Sequence, residues 1–389
     1  MQLLLHKKMS NKKNIALFYG RNKLNEARIE YMPFVLNFIK CLDKDDYNVD
    51  VFLAENKTSA YSTLFSKNVT VHFIDHDFIW NRRRGRKFFY YALILIKLWL
   101  LKRKFNYNMI VGAGVFGNFV AAQISKQKKI KYLYLGDEFP ILYGDFWNTI
   151  DKKNCEQADL VIVPDETRIE GTEKLLGKKL KNAITLPNSP LKSDIENLPE
   201  INWHEKLKID ANKKVILYAG GVEFFNQILD VLIQLPKLSS EYVLLIIAPE
   251  KYKKEFEYYL ITGKSIWHSE FLKDAEFYSL IKQSFASIGL YRTDIGMLDY
   301  IGKSSGKIMR SIACGTPVIA TKTNSLNFID ELNLGVCLTN TCFFIEGIEE
   351  INIKHKQQRE ACLNSFYSTL CYDVYWAKLK EDHLNDLLK

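Results

Sequence analysis

A polar, glycine-rich loop between two apolar runs carries the residues best suited to bind an anion. Residues 286–321 read ASIGLYRTDIGMLDYIGKSSGKIMRSIACGTPVIAT. The pattern predicts a strand that ends near Tyr291 and a helix that begins near Ser305. Backbone N–H groups at a helix start, beside the cation of Lys307, form a site for an anion. The alternative is an ordinary strand–loop–helix with a solvated lysine.

Alternating strands and helices must position this loop. Short apolar runs recur through the first half of the chain: NIALFYG, YNVDVFLAE, VTVHFI, NMIVGAG, IKYLYLG, DLVIVPD and AITLPN. The alternation restarts in the second half with KVILYAGG, YVLLIIAPE, SIWHSEFL, ASIGLY and PVIAT. Continuous apolar strands separated by helical segments are typical of a parallel sheet covered on both faces. The sequence therefore predicts two Rossmann-like, doubly wound α/β domains.

The length of 389 residues agrees with two domains that each bury a core. We predict a first domain over residues 1–188, a linker over 189–214, a second domain over 215–355, and C-terminal helices over 356–389 that cross back to the first domain.

The formal charge of +9 permits contact with phosphate, anionic lipid or nucleic acid without choosing among them. The seven cysteines include no Cys-x-x-Cys pair, which predicts free thiols in a reducing cytoplasm.

The pattern S-x-G-K-[IL]-x-x-x-[ILM]-A-x-G-x-P-V-I-A, present at residues 304–320, resembles the donor-binding segment of GT-B glycosyltransferases that use nucleotide sugars. DLVIVPDETRIEGTEKLLG and AITLPNSP are similar to the end of that family's first domain, and VILYAGG to the opening of its second. The resemblance covers most of the chain. It is closest in type to the retaining enzymes of glycosyl transferases group 1, or family 4.

The resemblance implies two Rossmann-like domains facing a cleft, with the donor nucleotide on the second domain and the acceptor on the first. It also implies retention of anomeric configuration without a bound metal or cofactor, because basic side chains and helix dipoles stabilise the diphosphate leaving group. Carried over by position, Gly220 and Gly221 would allow close approach of the donor, and Gly20 would form a glycine turn near the cleft. Ser305, Gly306 and Lys307 would face the donor phosphates.

Two positions depart from the family pattern. Arg310 stands where the family commonly has a glutamate that accepts hydrogen bonds from the nucleotide ribose, and arginine has donors only. Asn226 lies near the place of a basic residue that grips the diphosphate. Arg292, Lys307 and Arg310 would redistribute the phosphate-binding charge in a working enzyme. The alternatives are a non-catalytic binding subunit of a glycan-assembly complex and a nucleotide-sugar epimerase of the same fold.

Two carboxylates follow a predicted strand of the first domain. They lie in YLGDEFPILYGDFW, residues 134–147, where Asp137 and Glu138 come directly after the apolar run. Carboxyl ends of parallel strands face the ligand side, so both are candidates to orient or deprotonate an acceptor hydroxyl. The alternative is a capped loop with core aromatic residues.

Two Asp-x-Asp strings raise the question of a metal, because hard oxygen ligands suit Mg²⁺ or Mn²⁺. Asp43-Lys44-Asp45 lies between a helix and a strand, and we expect it to be solvated. Asp75-His76-Asp77 follows VTVHFI and is the better candidate, with His72 nearby. The alternation that continues through a second full domain argues against a metal-dependent glycosyltransferase architecture, so we predict no metal site.

A basic and apolar segment reads NRRRGRKFFYYALILIKLWLLKRKF. Its apolar run, residues 88–101, is shorter than the roughly 20 residues that span a bilayer. One interpretation is a helix buried against the first sheet; the one we favour is an interfacial element on anionic lipid. The predicted membrane contacts are Arg82, Arg83, Arg84, Arg86 and Lys87. No zinc finger, RNA-recognition signature or helix-turn-helix spacing accompanies them, which argues against nucleic acid.

The sequence thus predicts a cytoplasmic glycosyltransferase on the inner face of the plasma membrane. It would transfer a sugar from a nucleotide-sugar donor to a growing, lipid-linked cell-surface glycan of a polysaccharide, capsule or lipopolysaccharide.

Overall fold

The computed structural model describes residues 12–20, 32–53, 64–73, 106–137, 139, 145–222, 227–292 and 298–388. The chain divides into two compact units. Unit 1 comprises Met1–Ile162, Lys178–Ile184 and Leu379–Lys389, and unit 2 comprises Val163–Gly177 and Thr185–Lys378.

Unit 1 is built on a seven-stranded sheet with the order β3-β2-β1-β4-β5-β6-β7. Neighbouring strands from β3 to β6 are parallel. The strands are β1 Asn14–Tyr19, β2 Asn48–Leu53, β3 Val69–Phe73, β4 Met109–Ala113, β5 Lys131–Leu135, β6 Leu160–Val163 and β7 Ala183–Thr185. β1, β4 and β5 are almost entirely buried because they lie inside a sheet covered on both faces.

The described helices in the first 162 residues of unit 1 are α1 (Pro33–Lys44), α2 (Gly114–Lys128) and α3 (Asp145–Gln157). Proline suits the first turn of α1 because its missing N–H has no intrahelical partner there. Gly117 lets α2 lie directly on the end of β1, since a Cβ at this position would be 2.2 Å from the carbonyl oxygen of Phe18.

Unit 2 has a six-stranded parallel sheet with the order β10-β9-β8-β11-β12-β13. The strands are β8 Lys214–Ala219, β9 Tyr242–Ile247, β10 Ser265–His268, β11 Ala286–Gly289, β12 Val318–Thr321 and β13 Gly335–Leu338. In β8, Val215 and Leu217 pack into one apolar cluster, and Ile216 and Tyr218 pack into the cluster on the other face. Both faces of the sheet are therefore covered, as the continuous apolar strands predict.

The remaining described helices belong to unit 2, except the last one, which lies in unit 1. They are α4 Glu166–Leu176, α5 Lys192–Ile195, α6 Trp203–Lys206, α7 Ile228–Leu232, α8 Glu250–Phe256, α9 Asp274–Gln283, α10 Gly306–Ala313, α11 Phe328–Glu331, α12 Phe344–Ser365, α13 Tyr372–Leu379 and α14 Asn385–Leu387. The prediction of two parallel α/β sheets is confirmed.

The division of the chain differs from the predicted boundaries. Residues 189–214 are part of unit 2 rather than a linker, because Ile195, Trp203 and Ile209 lie in its core. The indole N–H of Trp203 donates to Ser279 Oγ at 3.3 Å. These apolar anchors have no regular spacing, so sequence periodicity does not reveal them. Of the predicted C-terminal helices, residues up to Lys378 belong to unit 2, and those after it to unit 1.

Within the described part of the chain, no helix is both long and apolar enough to cross a membrane. The cysteines are free thiols: Cys41, Cys155, Cys314, Cys337, Cys342, Cys362 and Cys371.

Candidate functional site

The start of α10 is the best-defined candidate site in unit 2. Ser305 is the N-cap residue, and its buried Oγ accepts a hydrogen bond from Ile308 N at 3.4 Å. The same Oγ is hydrogen bonded to Tyr291 Oη at 2.6 Å. The first N–H groups of a helix have no intrahelical partner and carry a partial positive charge. The capped helix start therefore has the chemistry of an anion site.

Lys307, in the first turn of α10, places its ammonium group over two aromatic rings. Its Nζ is 5.0 Å from the ring centroid of Tyr218 and 4.7 Å from that of Tyr291. Tyr218 lies in β8, and Tyr291 follows β11, the neighbouring strand. These cation–π contacts hold the lysine cation at the carboxyl ends of two parallel strands, where ligands of open α/β sheets bind.

Gly220 lies directly beside this lysine, and Gly221 follows Gly220 in the chain. Gly220 has φ of +138°, and a Cβ there would be 3.7 Å from Lys307 Cε. Its N–H donates to Ile247 O at 3.2 Å, and the carbonyl of Gly221 accepts a hydrogen bond from Tyr218 Oη. The structure thus brings Gly220 close to Lys307, and Gly221 close to Tyr218, whose ring lies under the lysine cation. Asn226 lies outside the described residues.

Thr321, at the end of β12, holds the backbone of Tyr291. Its Oγ1 accepts from Tyr291 N at 2.8 Å and donates to Tyr291 O at 2.9 Å. The three residues Tyr218, Tyr291 and Thr321 were absent from the predicted site. Their shared sequence signal is a position at or just after the carboxyl end of a strand of unit 2.

The loop before α10 is anchored by residues from far earlier in the chain. Asp165 accepts hydrogen bonds from Lys303 N and Thr167 N, each at 2.9 Å. Asn188 donates its backbone N–H to Lys303 O at 2.9 Å and its side-chain Nδ2 to Ser304 O at 3.1 Å. This network fixes the backbone that leads into the helix start.

An ion pair reinforces the same loop. Lys303 Nζ lies 2.5 Å from Glu166 Oε2. Burial raises the pKa of Glu166, but the hydrogen bond and the charge of Lys303 outweigh it and hold the pKa below its ordinary value. The two side chains therefore form a charged pair at neutral pH. Sequence reasoning did not identify it, because 137 positions separate the two residues.

The two predicted arginines occupy different surroundings. The guanidinium of Arg310, one turn after Lys307, lies 5.7 Å from the ring centroid of Phe277 and 5.9 Å from that of Tyr278 on α9. Arg292 is half-buried in the loop that follows Tyr291. The role of either arginine toward a donor stays a prediction.

In unit 1, Gly20 directly follows β1, and its backbone contacts the end of β4 and the start of α2. Its N–H donates to Ala113 O at 3.2 Å, and its carbonyl accepts from Phe116 N at 3.0 Å. These two hydrogen bonds place Gly20 at the carboxyl end of the sheet.

Asp137 lies two residues after β5, and its charge acts on a second carboxyl. That second group, Asp151 on α3, is 1% exposed and accepts a hydrogen bond from Tyr134 Oη at 2.7 Å. Burial raises the pKa of Asp151 to about 7, helped by the charge of Asp137 and opposed by the Tyr134 hydrogen bond. Sequence reasoning missed Asp151; Glu138 lies outside the described residues.

The described residues include no cluster of three or more histidine, cysteine or acidic side chains that could hold a metal. Asp43 accepts from Ser66 N at 2.7 Å, and Asp45 pairs with Lys380 Nζ at 3.0 Å. This Asp-x-Asp string is thus partly exposed at the surface of unit 1, as expected, and each of its carboxylates also has a hydrogen-bond or ion-pair partner. His72 Nε2 is hydrogen bonded to buried Asp50 at 2.9 Å. The second string, residues 75–77, lies outside the described residues.

The described chain thus has two parallel α/β sheets, the second with a cationic helix start at its carboxyl edge. No protein-family model matches the chain. No curated protein matches it either.

Solved structures do match it over nearly its whole length. Sucrose-phosphate synthase from Thermosynechococcus elongatus is 14% identical, with a TM-score of 0.74 over 95% of this chain and 98% of that chain. HepE from Anabaena, in complex with UDP and glucose, is 13% identical, with a TM-score of 0.69 over 95% and 98%. A Listeria monocytogenes protein provisionally described as a UDP-N-acetylglucosamine 2-epimerase is 12% identical, with a TM-score of 0.60 over 96% and 97%. At these identities the likeness shows the fold alone, which is the GT-B fold of two parallel α/β sheets.

Proposed function

We propose that the protein is a glycosyltransferase that uses a nucleotide-sugar donor. The observation that carries the proposal is the ammonium group of Lys307, held over Tyr218 and Tyr291 at the capped start of α10. Negative charge grows on the diphosphate as the sugar leaves, and a fixed cation at a helix start stabilises that charge. The complex of HepE with UDP and glucose supports this class of donor.

In this proposal unit 2 binds the donor and unit 1 supplies the acceptor side. The donor-contacting residues are Gly220, Gly221, Asn226, Arg292, Ser305, Gly306, Lys307 and Arg310. Asp137 or Glu138 orients or deprotonates the acceptor hydroxyl. The reaction retains anomeric configuration and needs no metal, and the acceptor is a lipid-linked, growing cell-surface glycan.

Donor binding is tested first with Lys307→Ala. A charge-assisted hydrogen bond contributes about 1.5–3 kcal/mol, so the affinity for the donor diphosphate should fall about 10- to 100-fold. A thermal-shift screen of UDP, GDP, CMP and their sugars identifies the ligand, because a ligand of the folded state raises its stability. Lys237→Ala removes an exposed lysine of unit 2 and is the matched control. Unchanged affinity in Lys307→Ala would remove the basis of the proposal.

A non-catalytic binding subunit is the second candidate, and Arg310 is the observation that favours it. Its guanidinium packs against the rings of Phe277 and Tyr278 and offers no acceptor for a ribose hydroxyl. NMR of the donor sugar during incubation separates the candidates. Transfer or slow hydrolysis supports the transferase, donor binding without turnover supports the subunit, and an epimerised sugar supports the epimerase.

The proposal also places the protein in the cytoplasm, at the inner face of the plasma membrane, through the basic segment of residues 82–87. Each basic residue near an anionic surface contributes roughly 1 kcal/mol, so these residues together would suffice for reversible docking. Neutralising Arg82, Arg83, Arg84 and Arg86 should release the protein from anionic vesicles at moderate salt. Neutralising Lys178, Lys206, Lys251 and Lys253 instead removes the same charge elsewhere. Equal release by both sets would contradict docking through this segment.

A further inference from the structure

A cavity in unit 2 lies at the amino ends of its strands. It has a volume of about 570 Å³, and its wall includes Lys214, the first residue of β8, and Phe285, which directly precedes β11. The candidate donor site lies at the carboxyl ends of these two strands. A six-residue strand rises about 3.3 Å per residue, so about 20 Å separate the two sites. A ligand in this cavity would therefore not contact Lys307.

The wall of this cavity is strongly basic. It contains no aspartate or glutamate, and its ionisable residues are His204, Lys213, Lys214, His355, Lys356 and Arg359. We call it the basic cavity.

Arg359 is the central cation of the basic cavity. Its Nη2 donates to the carbonyl of Lys282 at 3.1 Å and its Nη1 to that of Ser284 at 3.4 Å. No carboxylate of the described residues forms an ion pair with this half-buried guanidinium, and its burial lowers its pKa. A partly desolvated charge without a counterion is costly, and a bound anion would offset that cost.

The other lysines of the wall differ in their pairing. Lys214 Nζ is neutralised by Glu241 at 2.8 Å, and Lys213 donates to the carbonyl of Gly263. Lys356 is exposed and has no ion pair with a described residue. Lys213, Lys356 and Arg359 therefore keep their charge without an ion pair among the described residues, and Lys356 and Arg359 lie three residues apart on α12.

The imidazole of His355 lies in the positive electrostatic potential of the basic cavity. Burial lowers its pKa, the charges of Arg359 and Lys214 lower it further, and its hydrogen bond to Phe285 O opposes them. The imidazole stacks on the Phe285 ring with centroids 4.5 Å apart. The wall thus combines unneutralised cations with an aromatic surface.

We infer that the basic cavity is a second binding site, for a ligand that carries a phosphate group. Arginine binds phosphate in a bidentate manner, Lys356 adds a second positive charge, and the His355–Phe285 stack is a wall for the non-phosphate part. The volume falls within the range of about 300–1,000 Å³ found for small-molecule sites. The phosphate belongs to a free phosphorylated metabolite or to a lipid headgroup.

Pyrophosphate titration of Lys307→Ala protein tests the inference, because this background removes the main cation of the candidate donor site. We expect calorimetric binding that weakens about tenfold or more on adding Lys356→Gln or Arg359→Gln. Lys354→Gln is the control: the residue is on the same helix, loses the same charge, pairs with Glu350 and is not part of the wall. Binding should also raise the pKa of His355, measured by NMR.

Absence of pyrophosphate binding, or equal weakening by Lys354→Gln, would overturn the inference. Lys356 is exposed, so the Lys356→Gln variant should fold and still tests the inference if Arg359→Gln does not fold. Flotation with anionic and neutral phospholipid vesicles identifies the source of the phosphate. Flotation that depends on Lys356 indicates a headgroup, and pyrophosphate binding without flotation indicates a free metabolite. The affinity for the nucleotide-sugar donor, measured in the Lys356→Gln single variant, tests the proposed function with the candidate donor site left intact.

Discussion

Asp151→Asn should stabilise unit 1, and the gain should grow as the pH rises. In the wild type this carboxyl is buried, and its second oxygen, Oδ1, has no hydrogen-bond partner among the described residues. Asparagine has nearly the same shape, and its amide oxygen still accepts the hydrogen bond from Tyr134. The substitution therefore removes the ionisation of the group and keeps its packing.

The magnitude follows from the pKa of Asp151, which is about 7 in the folded protein against 3.8 for an unperturbed aspartate. The folded state holds the proton where the unfolded state has lost it, so stability is highest below the unfolded pKa. It falls as the pH rises through the folded pKa. The full difference is about 4 kcal/mol, and about 2–3 kcal/mol of it falls between about pH 5 and pH 8. The difference in unfolding free energy between Asp151→Asn and the wild type should therefore grow by about 2–3 kcal/mol over that pH range.

Urea denaturation at several pH values measures this gain, with hydrogen exchange of the β5 amides reporting on unit 1 by itself. Asp159→Asn is the control, because the Asp159 carboxylate accepts hydrogen bonds from Lys131 Nζ at 2.8 Å and Tyr132 N at 2.9 Å. Its removal should not stabilise the protein at high pH. A gain from Asp151→Asn that is the same at every pH would refute the reasoning, because the carboxyl would then not ionise within that range.

Three further substitutions and one control test the candidate donor site and the candidate acceptor base. Ser305→Ala removes the N-cap of α10 and leaves the buried Tyr291 hydroxyl without its partner, so unit 2 should lose about 1–3 kcal/mol in urea denaturation. Gly302→Ala should cost more than 2 kcal/mol, because its Cβ would lie 2.2 Å from Asp165 Oδ2; Gly177→Ala, with nothing within 4 Å, should cost only about 1 kcal/mol. Equal losses for these two glycines would contradict the proposed packing. Asp137→Asn should lower kcat about 10²- to 10⁴-fold with donor affinity unchanged, and unchanged kcat would exclude Asp137 as the base.

Much of the fold could be predicted because its strands are locally encoded. Continuous apolar runs such as NIALFYG and KVILYAGG become the central strands β1 and β8, since a strand buried on both faces needs apolar residues at every position. Residues 189–214 could not be assigned in this way. Trp203 reaches the core of unit 2 from a four-residue helix, and such an isolated anchor has no periodic pattern.

The sequence by itself determined the candidate helix start, because the N-cap Ser305, the following glycine and Lys307 are adjacent in the chain. Only the tertiary structure decided what surrounds that lysine. Tyr218 and Tyr291 come from neighbouring strands, and Asp165 holds the loop from 138 positions away. The pKa of Asp151 likewise depends on burial and on Asp137. Such effects arise from distances in space between groups far apart in the chain, and local composition does not encode those distances.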